Sequence, residues 1–334
     1  MSSGSGPRKR RTTWMRQICD YRVRDVLPGE SVTRRGLVLF GLMSVIWGIP
    51  YLFIRIAVEE ISPATLVFAR TAIASAILLP IAVARVDLRA VLARWRWVVV
   101  FAVVEIAVPW VALGSAEQRI SSSLAALLIA GVPLVGASFA LATGGADRMG
   151  RIGVVGLLIG LVGVVAIVGA DFSASDTTAL LQIGIVVIGY AVGPAILVRR
   201  LGGLSSLGIM AISLTLCAIV FIPIAAVQWP TAVPSSEALA SVVILATVCT
   251  AAAFLVFAAL IAEIGPVRAT VITYVNPAVA AVLGVLVLNE TFTVPMGMGF
   301  ALVIAGSALA TRRPGVQAGR APDLGEPAFG ASPD

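Results

Sequence analysis

Residues 266–290 read Pro-Val-Arg-Ala-Thr-Val-Ile-Thr-Tyr-Val-Asn-Pro-Ala-Val-Ala-Ala-Val-Leu-Gly-Val-Leu-Val-Leu-Asn-Glu. As a helix, this stretch is long and apolar enough to cross the roughly 30 Å hydrocarbon core of a bilayer. Its first half nevertheless carries Thr273, Tyr274, Asn276 and Pro277, which a simple membrane anchor does not need. The pattern predicts a polar, proline-broken membrane helix at the place where the protein does its work.

A second stretch repeats this plan 144 positions earlier in the chain. Residues 121–145 begin with serines and carry Pro133 at the position that corresponds to Pro277. Beyond these stretches, residues 37–170 align with residues 179–313 at an offset of 143 or 144. Trp47 then matches Tyr190, and two pairs of glycines also match. The chain is therefore interpreted as two related halves.

The composition identifies the solvent of this chain as lipid. Hydrophobic residues make up 59% of it and charged residues only 12%, whereas soluble domains are about 25% charged. Ten apolar runs of spanning length follow one another: 37–57, 63–84, 97–116, 121–142, 152–170, 179–198, 205–228, 239–261, 266–288 and 294–311. We predict an all-α membrane protein with ten transmembrane helices. Each repeat crosses the membrane five times, an odd number, so the second repeat begins on the side opposite to the first. The two five-helix repeats are therefore expected to be inverted.

The basic residues predict the orientation. Of the 24 lysines and arginines, 21 fall in segments on the side of the N-terminus, and only Arg119 falls in a segment on the other side. The positive-inside rule then places both termini in the cytoplasm. Residues 1–36 are predicted to be a basic cytosolic tail that sets topology, although such a tail also suits nucleic acid or anionic lipid. Residues 314–334 are predicted to be a disordered cytosolic tail.

Several classes of site lack their residues. The chain has no histidine, which removes histidine-based catalytic triads and the commonest metal ligand. Its three cysteines are far apart and form no CxxC pair, so we expect neither a disulfide nor a metal site. We predict no cofactor, no bound metal and no catalytic residue.

The residues resemble a known family. Trp47-Gly48 in the first run, Pro63 and Arg70 in the second, the prolines Pro133 and Pro277, and the closing Asn289-Glu290 are similar to those of EamA-type transporters. These belong to the drug/metabolite transporter superfamily, and the resemblance covers residues 37–313. It implies transport of a small metabolite or drug-like solute without ATP or a prosthetic group, and it does not identify the solute.

Two ionisable groups lie deep within apolar runs. Arg70 in the second run and Glu105 in the third should both fall in the middle third of the membrane, where charges are costly and usually functional. One hypothesis is a buried ion pair that joins the two helices. The other is that Arg70 attracts a substrate carboxylate, or that Glu105 takes up a proton and couples its gradient to transport.

Aromatic and polar side chains complete the predicted substrate pathway. Trp47 and Tyr51 lie one turn apart, and Trp110, Tyr190 and Tyr274 are too deep for an interfacial belt. At least two of these are expected to line a central cavity, together with Thr273 and Asn276. Pro133 and Pro277 are predicted to break their helices there, with a simple packing kink as the alternative.

The function predicted from these features is a secondary transporter that works by alternating access, since inverted repeats around a midplane site are typical of that class. We expect export across the cell membrane, with protons as a candidate coupling ion. The alternatives are an intramembrane lipid-modifying enzyme and a passive channel. The expected partners are the solute and membrane lipid, without nucleic acid.

The glycines of the fifth and tenth runs predict helix packing, within the fold or between two protomers, so the protein is expected to be a monomer or a homodimer.

Overall fold

The computed structural model of the protein describes residues 33–142, 151–170, 177–265, 269 and 271–310. Within these residues the secondary structure is helical, without a strand. The predicted C-terminal tail lies outside the described residues, as does the predicted N-terminal tail up to residue 32. The last residues of the predicted N-terminal tail, from Arg34 on, belong instead to the first helix.

The long apolar helices are numbered in chain order. They are α1 (Arg34–Ala57), α2 (Pro63–Arg85), α3 (Trp95–Glu117), α4 (Ser122–Phe139), α5 (Ile152–Gly169), α6 (Thr177–Arg200), α7 (Ser206–Val227), α8 (Ser236–Ile264), α9 (Ile272–Leu288) and α10 (Val294–Ala310). The first eight are long and apolar enough to span a membrane, and α9 and α10 are shorter, with 17 residues each. A short helix, Leu88–Leu92, lies between α2 and α3. The chain is therefore a multi-pass membrane protein.

Hydroxyl side chains set the starts of several helices. Ser62 precedes α2 and accepts the main-chain N–H of Thr65, and Ser205 precedes α7 and accepts that of Gly208. Such caps satisfy main-chain donors that the first helical turn leaves unpaired. Ser62 and Ser205 are 143 positions apart, so the two halves begin their second helix in the same way.

The predicted start of the ninth helix, at residue 266, falls on residues that the structure only partly describes. Helix α9 starts at Ile272, and residues 266–268 and 270 lie outside the described part of the chain. At the other helices the differences are small, but one of them has consequences for the site. Helix α3 runs to Glu117, one residue beyond the predicted end.

Helices α5 and α10 pack with their main chains in contact, through glycines. A Cβ atom added at Gly163 would lie 2.6 Å from the Gly299 carbonyl oxygen, and one added at Gly156 would lie 2.7 Å from the Gly306 carbonyl oxygen. Gly156 corresponds to Gly299, and Gly163 to Gly306, at the repeat offset of 143. Replacing each glycine by its counterpart in the other half therefore converts one contact into the other. A two-fold relation between the halves requires this. These glycines pack within the fold.

Candidate functional site

Two helices contain a π-helical segment at nearly equivalent places in the two halves. The first is Ala102–Ala107 in α3, and the second is Thr247–Ala252 in α8. The first packs against α7 and the second against α2, so each contacts the second helix of the opposite half. Single π-helical turns are rare and are frequently found at functional sites. Nothing in the sequence pattern predicted them.

Arg70 is held by groups from both halves. It lies on α2 and is 8% exposed. Its Nε–H donates to the Thr250 hydroxyl at 2.9 Å, and its guanidinium carbon lies 3.7 Å from the centre of the Trp110 ring. The Thr250 hydroxyl in turn donates to the Leu245 carbonyl at 2.8 Å, five residues earlier. The π segment of α8 therefore fixes the hydroxyl that orients the arginine.

The structure does not form the predicted ion pair between Arg70 and Glu105. Among the described residues, the ion pairs are Arg35–Glu263 and Arg55–Glu59. Glu105 lies on the π segment of α3 and faces α6, where its carboxylate would collide with any side chain at Gly193. The extra residue of a π turn changes the helical phase, so Glu105 does not point where a regular α-helix would place it. Its Oε2 atom is buried without a hydrogen-bond partner in the described part of the protein.

Glu117 is a buried acid that the sequence analysis overlooked. It is 0% exposed, and within the described residues neither carboxylate oxygen has a hydrogen-bond partner. Its electrostatic neighbours include Glu290, Arg55 and Arg70, and Arg55 also donates to its main-chain carbonyl at 3.0 Å. The residue sits at the last position of α3, and its place next to an apolar run is the only signal that could have found it.

Three of the predicted aromatic residues gather around Arg70 and Glu117. The Arg70 guanidinium lies over the face of the Trp110 ring. Tyr190 lies near Trp110 and within electrostatic range of Arg70 and Glu105. Tyr51 is buried and interacts with Tyr190 and Glu117. We call Tyr51, Arg70, Glu105, Trp110, Glu117, Tyr190 and Thr250 the central polar cluster.

Trp47 belongs to a different part of the fold. It packs on Phe257 of α8, with ring centres 4.7 Å apart, in an apolar cluster with residues such as Met43 and Leu260. The structure therefore places it apart from the central polar cluster, although the sequence grouped it with Tyr51. The next residue, Gly48, allows α9 to approach, because a Cβ atom there would lie 2.6 Å from the Val279 side chain.

The polar residues of α9 contact α1. Asn276 is 9% exposed. Its side-chain amide is assigned the orientation in which the NH₂ group faces hydrogen-bond acceptors. This NH₂ group then donates to the Ser44 carbonyl at 3.2 Å and to the Ile272 carbonyl at 3.0 Å. Tyr274 is half-buried and Thr273 is exposed. Asn276 therefore ties α9 to α1, and its hydrogen bonds do not connect it to Arg70.

The two prolines have different places in their helices. Helix α4 is interrupted after Ile129 and resumes at Val132, so Pro133 is the second residue of its second piece. Pro277 lies inside helix α9, which continues past it to Leu288. Because Pro277 is only the sixth residue of α9, the hydrogen bond it removes lies in the first turns, and the rest of the helix continues without interruption.

A carboxylate closes one end of the bundle. Glu290 follows α9 and accepts the main-chain N–H of Ser122 at 2.7 Å, that of Ser123 at 2.9 Å and the Ser123 hydroxyl at 2.5 Å. A carboxylate at the start of a helix also interacts favourably with the helix dipole. Asn289 turns the chain with a left-handed φ of 53°, and Gly284 leaves the space that the carboxylate occupies. The second half thereby caps α4 of the first half.

A matching contact runs in the opposite direction. Glu60, between α1 and α2, accepts the main-chain N–H of Ser235 at 2.7 Å and its hydroxyl at 2.5 Å. These hydrogen bonds, the one from the side chain above all, lower the pKa of Glu60. Ser235 is the N-cap of α8, so the first half caps a helix of the second half.

In the part of the chain that the structure describes, no three histidine, cysteine or acidic residues lie close enough together to hold a metal ion. The two cysteines described there, Cys217 and Cys249, are buried and free. The candidate site is therefore built from an arginine, carboxylates, hydroxyls and aromatic rings. These groups can bind charged and apolar parts of a solute and can carry protons.

Comparison with known proteins agrees with the two-half organisation. The family model of the EamA-like transporter family matches twice, over residues 34–169 and 177–312. A solved structure, described only as the crystal structure of a protein, is similar in fold with a TM-score of 0.61 at 21% identity, over 84% of this chain and 98% of that chain. No curated protein matches the chain. Since the family model covers most of its length, the chain belongs to the EamA-like transporter family.

Proposed function

We propose that this protein is a secondary transporter that exports a small organic metabolite or drug-like solute across the cell membrane by alternating access. The observation that carries the proposal is the central polar cluster, in which a buried arginine of one half is oriented by a π-helical segment of the other. A site shared between two related halves can be exposed to either side when the halves rock against each other.

Ten crossings in two inverted repeats account for the loop contacts. If every long helix crosses the membrane, Thr33, Arg94, Gly202 and Glu263 lie on one side, and Glu60, Ser122, Ser235 and Glu290 lie on the other. Hydrogen bonds join Thr33 to Glu263 and Arg94 to Gly202. On the other side they join Glu60 to Ser235 and Glu290 to Ser122. Each bond connects groups that this topology places on the same side.

The orientation proposed for this topology follows from the arginines. The side that holds Arg94, Arg199 and Arg200 is the cytoplasm, according to the positive-inside rule. Both termini are then cytoplasmic, and the contacts of Glu60 and Glu290 lie at the outer face. We propose that these two contacts hold the outer end closed, and that they separate when the transporter opens outward.

In the proposed mechanism, Arg70 attracts an anionic group of the solute, and Trp110, Tyr190 and Tyr51 contact its apolar part. Glu105 is the proposed proton carrier. Among the described residues, no arginine or lysine forms an ion pair with Glu105, so its charge is not fixed by a partner. Glu117 lies near Arg55 and Arg70, and its proposed role is to balance their charge.

The function is tested first by identifying the solute. Untargeted comparison of metabolites in overexpressing and control cells should show one solute class depleted inside and enriched outside the overexpressing cells. Purified protein in proteoliposomes should then move that solute with saturable kinetics. Absence of saturable movement by folded, reconstituted protein would reject the transporter proposal.

Replacing Glu105 with glutamine should remove the dependence of transport on a pH gradient. The amide keeps the shape of the side chain but cannot carry a proton, so transport with and without a gradient should become equal. The measurement is solute flux in proteoliposomes at two pH gradients. Glu117→Gln is the matched control, for which we expect a lower rate with the pH dependence retained. If Glu105→Gln keeps the wild-type pH dependence, Glu105 is not the coupling group.

Replacing Glu290 with glutamine should loosen the start of α4. A neutral amide accepts hydrogen bonds less strongly than a carboxylate, and hydrogen bonds to charged groups contribute about 1.5–3 kcal/mol. Hydrogen–deuterium exchange of the main-chain amides of residues 122–129 should accelerate by about tenfold. Glu237→Gln is the control, because within the described residues the side chain of Glu237 bonds only to the neighbouring Ser236. Equal exchange in the two variants would show that Glu290 does not hold this end closed.

A further inference from the structure

A pocket with basic and aromatic walls lies apart from the central polar cluster. It has a volume of about 680 Å³ and lies where α3 begins and α6 ends. Its walls are formed by exposed residues, namely Ala93, Arg94, Trp95, Arg96, Trp97, Arg199 and Arg200. Four guanidinium groups therefore face one space, next to two indole rings.

The positive charge of this pocket has no carboxylate partner in the described part of the chain. The ion pairs found there are Arg35–Glu263 and Arg55–Glu59, and none involves an arginine of the pocket. The acid nearest in sequence, Asp87, accepts the main-chain N–H of Arg89 at 3.0 Å and is not part of the walls. Arginines crowded together without acids repel one another, so an anion in the pocket would lower the free energy of the arrangement.

The contacts inside the pocket hold its walls in place. The Arg94 Nη1 atom donates to the main-chain carbonyls of Arg200 at 3.0 Å and Gly202 at 3.2 Å, which ties the start of α3 to the end of α6. The Arg200 guanidinium lies 4.5 Å from the centre of the Trp97 ring, and that of Arg96 lies 5.7 Å from the Trp95 ring. Stacking of this kind orients a guanidinium while leaving its edge able to bind an oxyanion.

We propose that this pocket binds the phosphate headgroup of an anionic phospholipid of the membrane. Tryptophan is typical of the membrane–water interface, and exposed Trp95 and Trp97 therefore place the pocket at headgroup depth. Clustered arginines between membrane helices suit phosphate headgroups, which they bind through paired N–H groups. The proposal does not depend on which solute the protein transports.

The test compares two pairs of arginines on the same side of the protein. Arg96→Gln with Arg199→Gln removes two charges from the pocket, and Arg85→Gln with Arg89→Gln removes two exposed charges outside it. Native mass spectrometry of detergent-solubilised protein, titrated with phosphatidylglycerol or phosphatidylcholine, gives the apparent dissociation constants. Both double variants lose the same number of cytoplasmic-side charges, so an effect of charge alone would be equal in the two.

Wild-type protein should prefer phosphatidylglycerol to phosphatidylcholine. The pocket variant should bind phosphatidylglycerol about thirtyfold more weakly, since each basic residue at an anionic surface contributes about a factor of five. The control variant should bind like wild type. Equal weakening in both variants, or no preference for phosphatidylglycerol in the wild type, would overturn the proposal.

A competition experiment with inorganic phosphate distinguishes binding of the lipid from binding of free phosphate. Inorganic phosphate at the same concentration should not displace phosphatidylglycerol, because it lacks the acyl chains that keep the headgroup at the interface. Displacement would assign the pocket to a soluble phosphate and overturn the lipid proposal. If the pocket variant does not give a monodisperse protein, Trp97→Leu replaces it. That variant keeps every charge but removes the ring under Arg200, and unchanged lipid binding in it would also count against the site.

Discussion

Transport should fall by about thirtyfold when Arg70 is replaced by methionine, the factor that corresponds to losing about 2 kcal/mol from a hydrogen bond to a charged group. Methionine preserves most of the side-chain volume next to Trp110 but has no charge and cannot donate to Thr250. The expected loss arises at the shared site of the two halves, where Arg70 is the buried cation of the central polar cluster.

Flux of the identified solute in proteoliposomes measures this effect, with the amount of reconstituted protein held equal. Arg85→Met is the matched control, because Arg85 ends the same helix and is exposed. Thr250→Val should produce a smaller loss, since it removes the hydroxyl but leaves the guanidinium on Trp110. Wild-type flux in folded Arg70→Met protein would show that Arg70 does not bind the solute. A variant that is inactive because it unfolds would be recognised by its loss of a monodisperse size-exclusion peak.

The second large effect is expected at the contact between α5 and α10. Gly163→Val should destabilise the protein by about 3 kcal/mol, the upper range for overpacking a tight core. A Cβ atom there would lie 2.6 Å from the Gly299 carbonyl oxygen and 2.7 Å from the Val303 main-chain nitrogen. Because both neighbours are main-chain atoms, a rotamer change cannot relieve the collision.

Thermal unfolding in detergent measures this destabilisation. Gly169→Val is the matched control on the same helix, since a Cβ atom at Gly169 would meet no atom within 4 Å. Gly299→Val should reproduce the effect of Gly163→Val, because a Cβ atom there would lie 2.7 Å from the Gly163 carbonyl oxygen. A stable Gly299→Val protein beside an unstable Gly163→Val protein would contradict the close main-chain contact between these two glycines.

Helical phase explains why the hypothesised ion pair between Arg70 and Glu105 does not form. Arg70 and Glu105 are at similar depth in neighbouring helices, and regular α-helical geometry permits them to pair. The π segment of α3 gives Glu105 a different direction, and that of α8 supplies Thr250 as the partner of Arg70. Neither Ala102–Ala107 nor Thr247–Ala252 contains a residue type that demands a π turn, so packing between the halves decides it.

The other differences between the sequence-based predictions and the structure concern residues at the ends of helices. The third apolar run was predicted to end at residue 116, so Glu117 fell just outside it, yet the structure buries this residue completely. Asn289-Glu290 was read as a family motif without a physical role. The folded chain brings its carboxylate to the start of α4, more than 160 positions away in sequence.

The sequence by itself determined the solvent, the helical class and the duplication, because these depend on composition and on the spacing of apolar runs and prolines. It also brought forward Tyr51, Arg70, Glu105, Trp110 and Tyr190, because polar groups are conspicuous where lipid is the solvent. Only the tertiary structure decided which of them meet. Contacts between residues far apart in sequence depend on helical phase and on how closely main chains approach, and both are set by the packing of one half on the other.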